Sequence, residues 1–179
     1  GAEYLFAVKE QAGKSAVDIL AAVIPAFFDG IHWYKTMRWG TGTTAFVRPV
    51  HWLVAVLGEQ IIPTDYAGVQ SGNESFGHHF LAPQAIPVTA DREAYLQSLR
   101  AAFVYADQDE RKAQLRKLVA ESANGTGRVW REDEELLGVV NNLVEYPVPV
   151  LCSFEERYLE IPPAVLVSEM KEHQKYLAL

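Results

Sequence analysis

The sequence predicts an α+β fold, and three observations carry that expectation. Short apolar and aromatic runs, broken by glycine and proline, occupy both ends of the chain. A central stretch at about 91–144 repeats its apolar residues with a helical period. Strand-like and helix-like segments are grouped, not alternated, which argues against a parallel α/β array. The expectation is a mostly antiparallel sheet with packed helices. It forms a single α+β domain over residues 1–179, with a helical block at about 91–144. At 179 residues and 20.0 kDa, a chain of this size buries roughly 70% of its unfolded surface without a metal or disulfide staple.

Tyr4–Val8 reads as the first strand, being short, apolar and aromatic. Ser15 then stands where an N-cap belongs, ahead of a helix over Ala16–Phe28 that Gly30 closes. Pro25 is expected to kink this helix or end it early. Met37–Thr44 reads as a loop with two glycines. Phe46–Val50 and Trp52–Leu57 read as a strand broken near Pro49, and Gly58-Glu59 as a tight turn into a strand from Gln60. Gly68–Gly77, polar and glycine-containing, reads as an exposed loop.

The helical block opens at Asp91, with Ala94, Tyr95, Leu99, Ala102 and Phe103 on one period. Asp107 caps the next helix, which runs to about Ala123 before Asn124–Gly127 ends it. Glu132–Val144 follows, with acidic residues in its first turn as the macrodipole favours. Pro147–Cys152 reads as a returning strand. Pro162-Pro163 opens a last helix to about Gln174. Core candidates are Leu5, Val17, Leu20, Val54, Val56, Leu57, Leu99, Phe103, Leu115, Leu143, Val150 and Leu166.

Composition excludes several classes. Hydrophobic residues are 49% and charged residues 22% of the chain, which is globular and not disordered. The longest apolar stretch, Ala16–Phe28, is interrupted by Asp18 and Pro25 and is too short to span a bilayer. No secretory signal opens the chain, and Cys152 stands alone, so no disulfide framework is possible. A cytoplasmic setting without membrane or DNA partners fits.

The net charge of -7 is uneven. Residues 1–60 hold five basic and five acidic side chains, residues 61–131 hold eight of each, and residues 132–179 hold three basic and ten acidic. An acidic last quarter is expected to face away from RNA or to face protein.

No phosphate loop, dinucleotide fingerprint or nucleophile elbow is present. His78-His79 is the most suggestive polar pair, but neighbours on a strand point to opposite faces, so a packed or hydrogen-bonded histidine outweighs a metal site. Cys152 lies in an apolar run and reads as a buried, inert thiol. Glu132–Glu135 reads as a solvated helix start. Arg38-Trp39, Arg48 and His51-Trp52 mix cations with aromatics, a combination that can stack on and pair with RNA; the competing reading packs the tryptophans and lets the arginines reach out from the surface. Arg111, Lys112, Arg116 and Lys117 recur at helical spacing. They suit phosphates or, alternatively, a salt-bridged face with Glu110 and Glu121.

An ordered set of phrases then points to a family. These are Gly1-Ala-Glu-Tyr-Leu5, Met37-Arg-Trp-Gly40, Phe46-Val-Arg-Pro-Val-His-Trp-Leu53, Leu57-Gly58 with Ile62-Pro63, Gly77-His-His-Phe80 and Glu110-Arg-Lys112. Leu143-Val-Glu-Tyr-Pro147, Phe154-Glu-Glu156 and Met170-Lys-Glu-His-Gln-Lys-Tyr176 complete it. In this order the set resembles the beta subunit of bacterial glycyl-tRNA synthetase over nearly the whole chain.

The resemblance implies a piece of a subunit several times longer, which continues into a histidine-aspartate-type helical domain and an anticodon-binding region; the break after Leu179 falls within a motif. It implies a fold like the editing-type domain of the phenylalanyl-tRNA synthetase beta subunit. It also implies a non-catalytic part in tRNA binding and assembly, for ATP-dependent attachment of glycine to tRNA. The implied partners are the alpha subunit, in an assembly of two alpha and two beta chains, and glycine tRNA. ATP and magnesium belong to the alpha subunit, and no cofactor to this piece, which is inactive alone. The residues expected to contact RNA, on their cation–aromatic mix, helical spacing and place in these phrases, are Arg38, Arg48, His51, Trp52, His78, His79, Arg111, Lys112, Lys171 and Lys175, with no catalytic or metal role. His79 replaces an arginine of the family's Gly-His-Arg-Phe phrase, which removes a fixed charge, and Leu177 replaces a phenylalanine. The competing functions are a hydrolytic editing domain that clears mischarged tRNA, using His51, His78 and His79, and a pure scaffold.

Overall fold

The computed structural model describes residues 3–179. It is α+β, with five α-helices and short, largely antiparallel strand groups. The contacts gather into two compact units: Gly1–Ser75 with Pro87–Asp91, and Phe76–Ile86 with Arg92–Leu179. Gly1 and Ala2 of the first family phrase lie outside the described residues.

In the first unit, α1 (Ala16–Asp29) begins as expected: Ser15 is extended, and its hydroxyl accepts from the Asp18 N–H at 3.1 Å. The Gly30 N–H closes the other end on the Ala26 and Phe27 carbonyls. Pro25 neither ends nor shortens the helix. Its ring nitrogen has no proton for the Ala21 carbonyl, and the Thr64 hydroxyl supplies the missing donor at 3.0 Å.

That hydroxyl belongs to a larger weave. The Thr64 N–H donates to Ser71 Oγ at 2.9 Å, Ser71 Oγ donates to the Ile62 carbonyl at 2.6 Å, and the Ser71 N–H returns to the Thr64 carbonyl at 2.9 Å. Ser71 lies on β5 (Val69–Gly72), the central strand of three. It pairs in parallel with β1 (Leu53–Val54), Leu53 opposite Ser71, and antiparallel with β4 (Asp65–Tyr66), Tyr66 opposite Val69.

Gly68–Gly77 is therefore not the exposed loop that its polarity predicts. It holds β5 and β6 (Glu74–Phe76), because its serine bonds replace the apolar burial a strand usually shows. The Gly58-Glu59 turn is found as expected, between β2 (Val56–Leu57) and β3 (Gln60–Ile61), with Gly58 at φ +60°. The strand expected at Phe46–Val50 shrinks to one antiparallel bridge, Met37 to Phe46. The strand ladder begins only after Pro49, at Leu53. The unit boundaries fall in β6, in β7 (Ala85–Pro87) and between Asp91 and Arg92.

The second unit carries α2 (Arg92–Ala101), α3 (Gln108–Asn124) and α4 (Glu134–Asn141), all within the span read as helical. Asp107 caps α3 by accepting from the Asp109 and Glu110 N–H groups, and Asp133 caps α4 by accepting from the Leu136 N–H. α3 and α4 bury Leu115, Val119, Ala123, Trp130 and Leu137 in one cluster. α5 (Pro163–Glu169) starts on Pro163 as expected and runs into a π-helical turn, Met170–Gln174, that Lys175 closes at φ +57°.

Two expected strands are absent. Tyr4–Val8 and Pro147–Cys152 form no strand, and their large apolar side chains stay exposed, Leu5 completely. An apolar run becomes a strand only where a partner edge exists, and neither run has one. The core candidates Leu5 and Val150 are exposed for the same reason; Leu57, Phe103 and Leu143 are exposed too, in other settings, whereas Leu99 and Leu115 are buried.

Two outcomes follow for stability. Thr64→Val leaves the half-buried Ala21 carbonyl without its donor and should cost about 1–3 kcal/mol in urea unfolding. In a Pro25→Ala background, where position 25 regains an N–H, the same change should cost clearly less; equal costs in both backgrounds would show that the hydroxyl does not stand in for the helix bond. Asp133 is held below the usual carboxylate range, first by the Leu136 N–H and then by Lys171, and Asp107 by the Glu110 N–H. Because these folded values lie below the unfolded ones, the contribution is present above the unfolded pKa and is lost as pH falls through the folded one. Thermal melts should therefore lose stability below about pH 4. Asp133→Asn, which keeps a capping oxygen but no charge for Lys171, should flatten that loss.

Candidate functional site

The ten residues assigned to RNA contact divide between the units, and their surroundings differ. In the second unit most of the cations are already engaged. Arg111 donates through Nε to the Asn141 carbonyl at 2.9 Å and through Nη1 to the Tyr105 carbonyl at 2.6 Å, so it staples α3 to the end of α4. Lys112 pairs with Glu134 at 3.3 Å, and Arg116 with Glu132 at 3.2 Å and with Glu134. Lys171 meets Asp133 at 2.7 Å and Glu135 at 3.3 Å. Lys175 is half-buried at the left-handed residue after the π turn.

The salt-bridged reading of α3 thus holds, with different partners. Glu121 takes Lys117 at 3.9 Å, but Glu110 takes Arg100 at 2.7 Å, and the start of α4 supplies the rest. Glu132–Glu135 is accordingly an ion-paired helix start, not simply a solvated one. Glu134 is pulled below its ordinary pKa by Arg116 and then Lys112, and the guanidinium of Arg116 is pushed up by the same contact.

His78 and His79 follow β6 in the second unit. His78 is half-buried, and its Nδ1 accepts from the Phe80 and Leu81 N–H groups at 3.3 Å each, while its own N–H donates to the Ala102 carbonyl at 2.9 Å. His79 is exposed, with its ring centroid 4.9 Å from that of Phe80. Gly77 makes this turn possible by lack of volume: a Cβ there would lie 2.6 Å from Ala102 Cβ and 2.8 Å from the Ala82 carbonyl oxygen. Cys152 is exposed, not buried as its apolar neighbours suggest, and its Sγ lies 3.8 Å from the Val150 carbonyl oxygen.

The first unit behaves differently. Every ion pair among the described residues draws its cation from the second unit; Lys9, Lys14, Lys35, Arg38 and Arg48 join none. Arg38 sits in the loop that the Met37–Phe46 bridge closes, and its Nε holds the Thr43 carbonyl at 3.2 Å. Arg48 and His51 are exposed, and the His51 ring lies 6.3 Å from the Trp52 ring.

Arg48 to Leu53 rims an open cleft of about 320 Å³ whose other walls are Phe28, Phe46 and Tyr66. Those three rings pack mutually, with centroids 4.9 to 6.1 Å apart, so the wall is rigid and apolar. Burial pushes the Tyr66 hydroxyl up in pKa, and Asp29 adds to the rise, so the ring stays neutral. Arg48 is the one lining side chain with a fixed charge.

Residue-by-residue reading missed the signal that unites these groups. From Gly30 to Gly58 the chain has no Asp or Glu, but it carries Lys35, Arg38, Arg48, two histidines, three tryptophans and Tyr34. In a chain of net charge -7, an acid-free stretch of that length leaves its cations without local partners.

Comparison with known proteins adds a second line. A family model described as glycyl-tRNA synthetase beta subunit matches residues 1–179. The glycine–tRNA ligase beta subunit of Myxococcus xanthus is 48% identical over 177 residues, covering 99% of this chain and 25% of that protein. The corresponding subunits of Acidobacterium capsulatum and Desulforamulus reducens are 42% and 39% identical, over 99% and 97% of this chain and 25% of each relative. The chain therefore spans about a quarter of the length of these relatives.

Gly77→Ala should displace the turn that carries both histidines and cost about 1–3 kcal/mol, as overpacking does. Chemical-shift changes confined to residues 76–82 and 102 would accompany it; an unperturbed melting temperature would contradict the close packing.

Proposed function

The chain belongs to the glycyl-tRNA synthetase beta subunit family, and from that premise we propose that it is a non-catalytic, RNA-contacting region of a glycine–tRNA ligase. It supports tRNA binding and holoenzyme assembly for ATP-dependent attachment of glycine to tRNA. Its partners are the alpha subunit, two of each chain per assembly, and glycine tRNA, in the cytoplasm. ATP and magnesium serve the alpha subunit. The likeness to the editing-type domain of phenylalanyl-tRNA synthetase belongs to the same reading, as a fold without its chemistry.

The observation that supports this most is the partition of charge. The second unit pairs most of its cations internally, while the first unit leaves Arg48 available on the cleft rim with exposed His51 and Trp52, and Arg38 outside any ion pair with only its Nε on a backbone carbonyl. An unpaired arginine next to aromatic faces is the kind of group that meets phosphates and bases. The two side chains best suited to covalent chemistry are otherwise placed. Cys152 has a backbone carbonyl as its neighbour, and His78 gives its Nδ1 to backbone N–H groups. Glycine being the smallest substrate, larger competitors are excluded by sterics at the synthetic site, so hydrolytic clearance is not demanded.

The test is Arg38→Ala/Arg48→Ala in the intact subunit with its alpha partner. Binding of glycine tRNA should weaken by roughly tenfold at moderate salt, and the slope of log affinity against log salt should flatten by about one to two. Unchanged affinity together with unchanged assembly would remove these residues from the account.

A further inference from the structure

We infer that the cleft between Arg48 and Tyr66 receives a single unstacked base of a single-stranded RNA segment. Trp52 stacks on the base at the mouth of the cleft, and Arg48 meets the adjoining phosphate. This deepens the RNA-contacting reading above and rests on it: that reading needs only phosphates, whereas the cleft adds a requirement for an unpaired nucleotide.

Three features of the cleft point to this ligand class. Its size, about 320 Å³, is at the lower end of small-ligand pockets, roughly 300–1,000 Å³, and suits one planar ring system but not a duplex. Its walls are the rings of Phe28, Phe46 and Tyr66, with Trp52 half-open at the rim. A preformed aromatic wall favours a flat π-face over a flexible aliphatic chain.

The charge at the mouth selects further. Arg48 is exposed and unpaired, and the rim comes from the stretch of residues 30–58 that contains no carboxylate. An aromatic body with an anion attached is the ligand this arrangement complements, and a nucleotide in a strand is such a ligand. A neutral apolar peptide would leave Arg48 without a partner, and an acidic one would not need four aromatic rings.

Duplex RNA is excluded by geometry. Its bases are stacked and paired, so only its phosphates and sugars could reach the rim. Loops, bulges and overhanging ends present free bases, so the discrimination is between unpaired and paired RNA.

The experiment uses the intact subunit with its alpha partner and two probes of matched charge: a short single-stranded oligoribonucleotide and a blunt RNA duplex. Trp52→Leu should weaken the single strand roughly tenfold and leave the duplex unchanged, because one base stack is lost and no phosphate contact. Trp52→Phe should restore most of the single-strand affinity, and ultraviolet crosslinking of the bound strand should fall on the peptide that carries Trp52. Equal loss on both probes, or none, overturns the inference. If Arg38→Ala/Arg48→Ala weakens both probes while Trp52→Leu weakens neither, the phosphate reading stands and the base-binding cleft falls; if no variant affects either probe, both fall. A Trp52→Leu subunit that loses assembly but not RNA affinity would mark the cleft as a protein contact, and would also overturn it.

Discussion

Pro25 withholds one hydrogen bond from α1, and the first unit is organised around the group that replaces it. A carbonyl freed inside a helix must find a donor or lose the desolvation energy of an unpaired polar group. Here the donor is the Thr64 hydroxyl, 43 residues further along the chain. Thr64 is in turn fixed from both sides of its backbone by Ser71 on the central strand. The helix is thereby joined to the sheet by directional bonds as well as by packing, and Phe28 is carried onto Tyr66. The aromatic wall of the cleft is a consequence of that anchoring.

The second unit solves a different problem. It has most of the helices and the larger charge load, and it neutralises that load locally. The capping carboxylate of α4 also pairs with Lys171, and the residues just before and after that cap take Arg116 and Lys112. Individually such exposed pairs contribute little. Collectively they decide availability: a lysine already bridged to two carboxylates is a poor partner for a phosphate. This is why the cation count of a segment says little about nucleic-acid binding until its pairing is known.

Much of the helical architecture is legible in the sequence, because its determinants are local. Ser15, Asp107 and Pro163 each mark a helix start that the structure contains, and Gly58-Glu59 marks a hairpin. The strands are legible only in part. Tyr4–Val8 has the composition of a strand and no partner, whereas Gly68–Gly77 has the composition of a loop and includes the centre of a sheet. Both differences have one cause: pairing is a long-range property that composition cannot carry. The candidate site divides along the same line. Arg48, His51 and Trp52 are legible as a cation–aromatic cluster, but the cleft behind them needs Phe28 and Tyr66, which arrive from α1 and β4. Arg111 shows the converse, since its helical spacing suggests a phosphate contact while its guanidinium lies on two backbone carbonyls.

The turn at Gly77 has a further consequence, in heredity. Every amino-acid replacement reachable from a glycine codon by one base change introduces at least a Cβ, and the nearest atoms to that Cβ include the backbone oxygens of Ala82 and Ala102. The smallest step away from glycine therefore already meets main chain, which cannot rotate aside as a side chain can. Drift at this position has no gentle first step, so the path of the backbone that bears His78 and His79 is held by the absence of a single carbon.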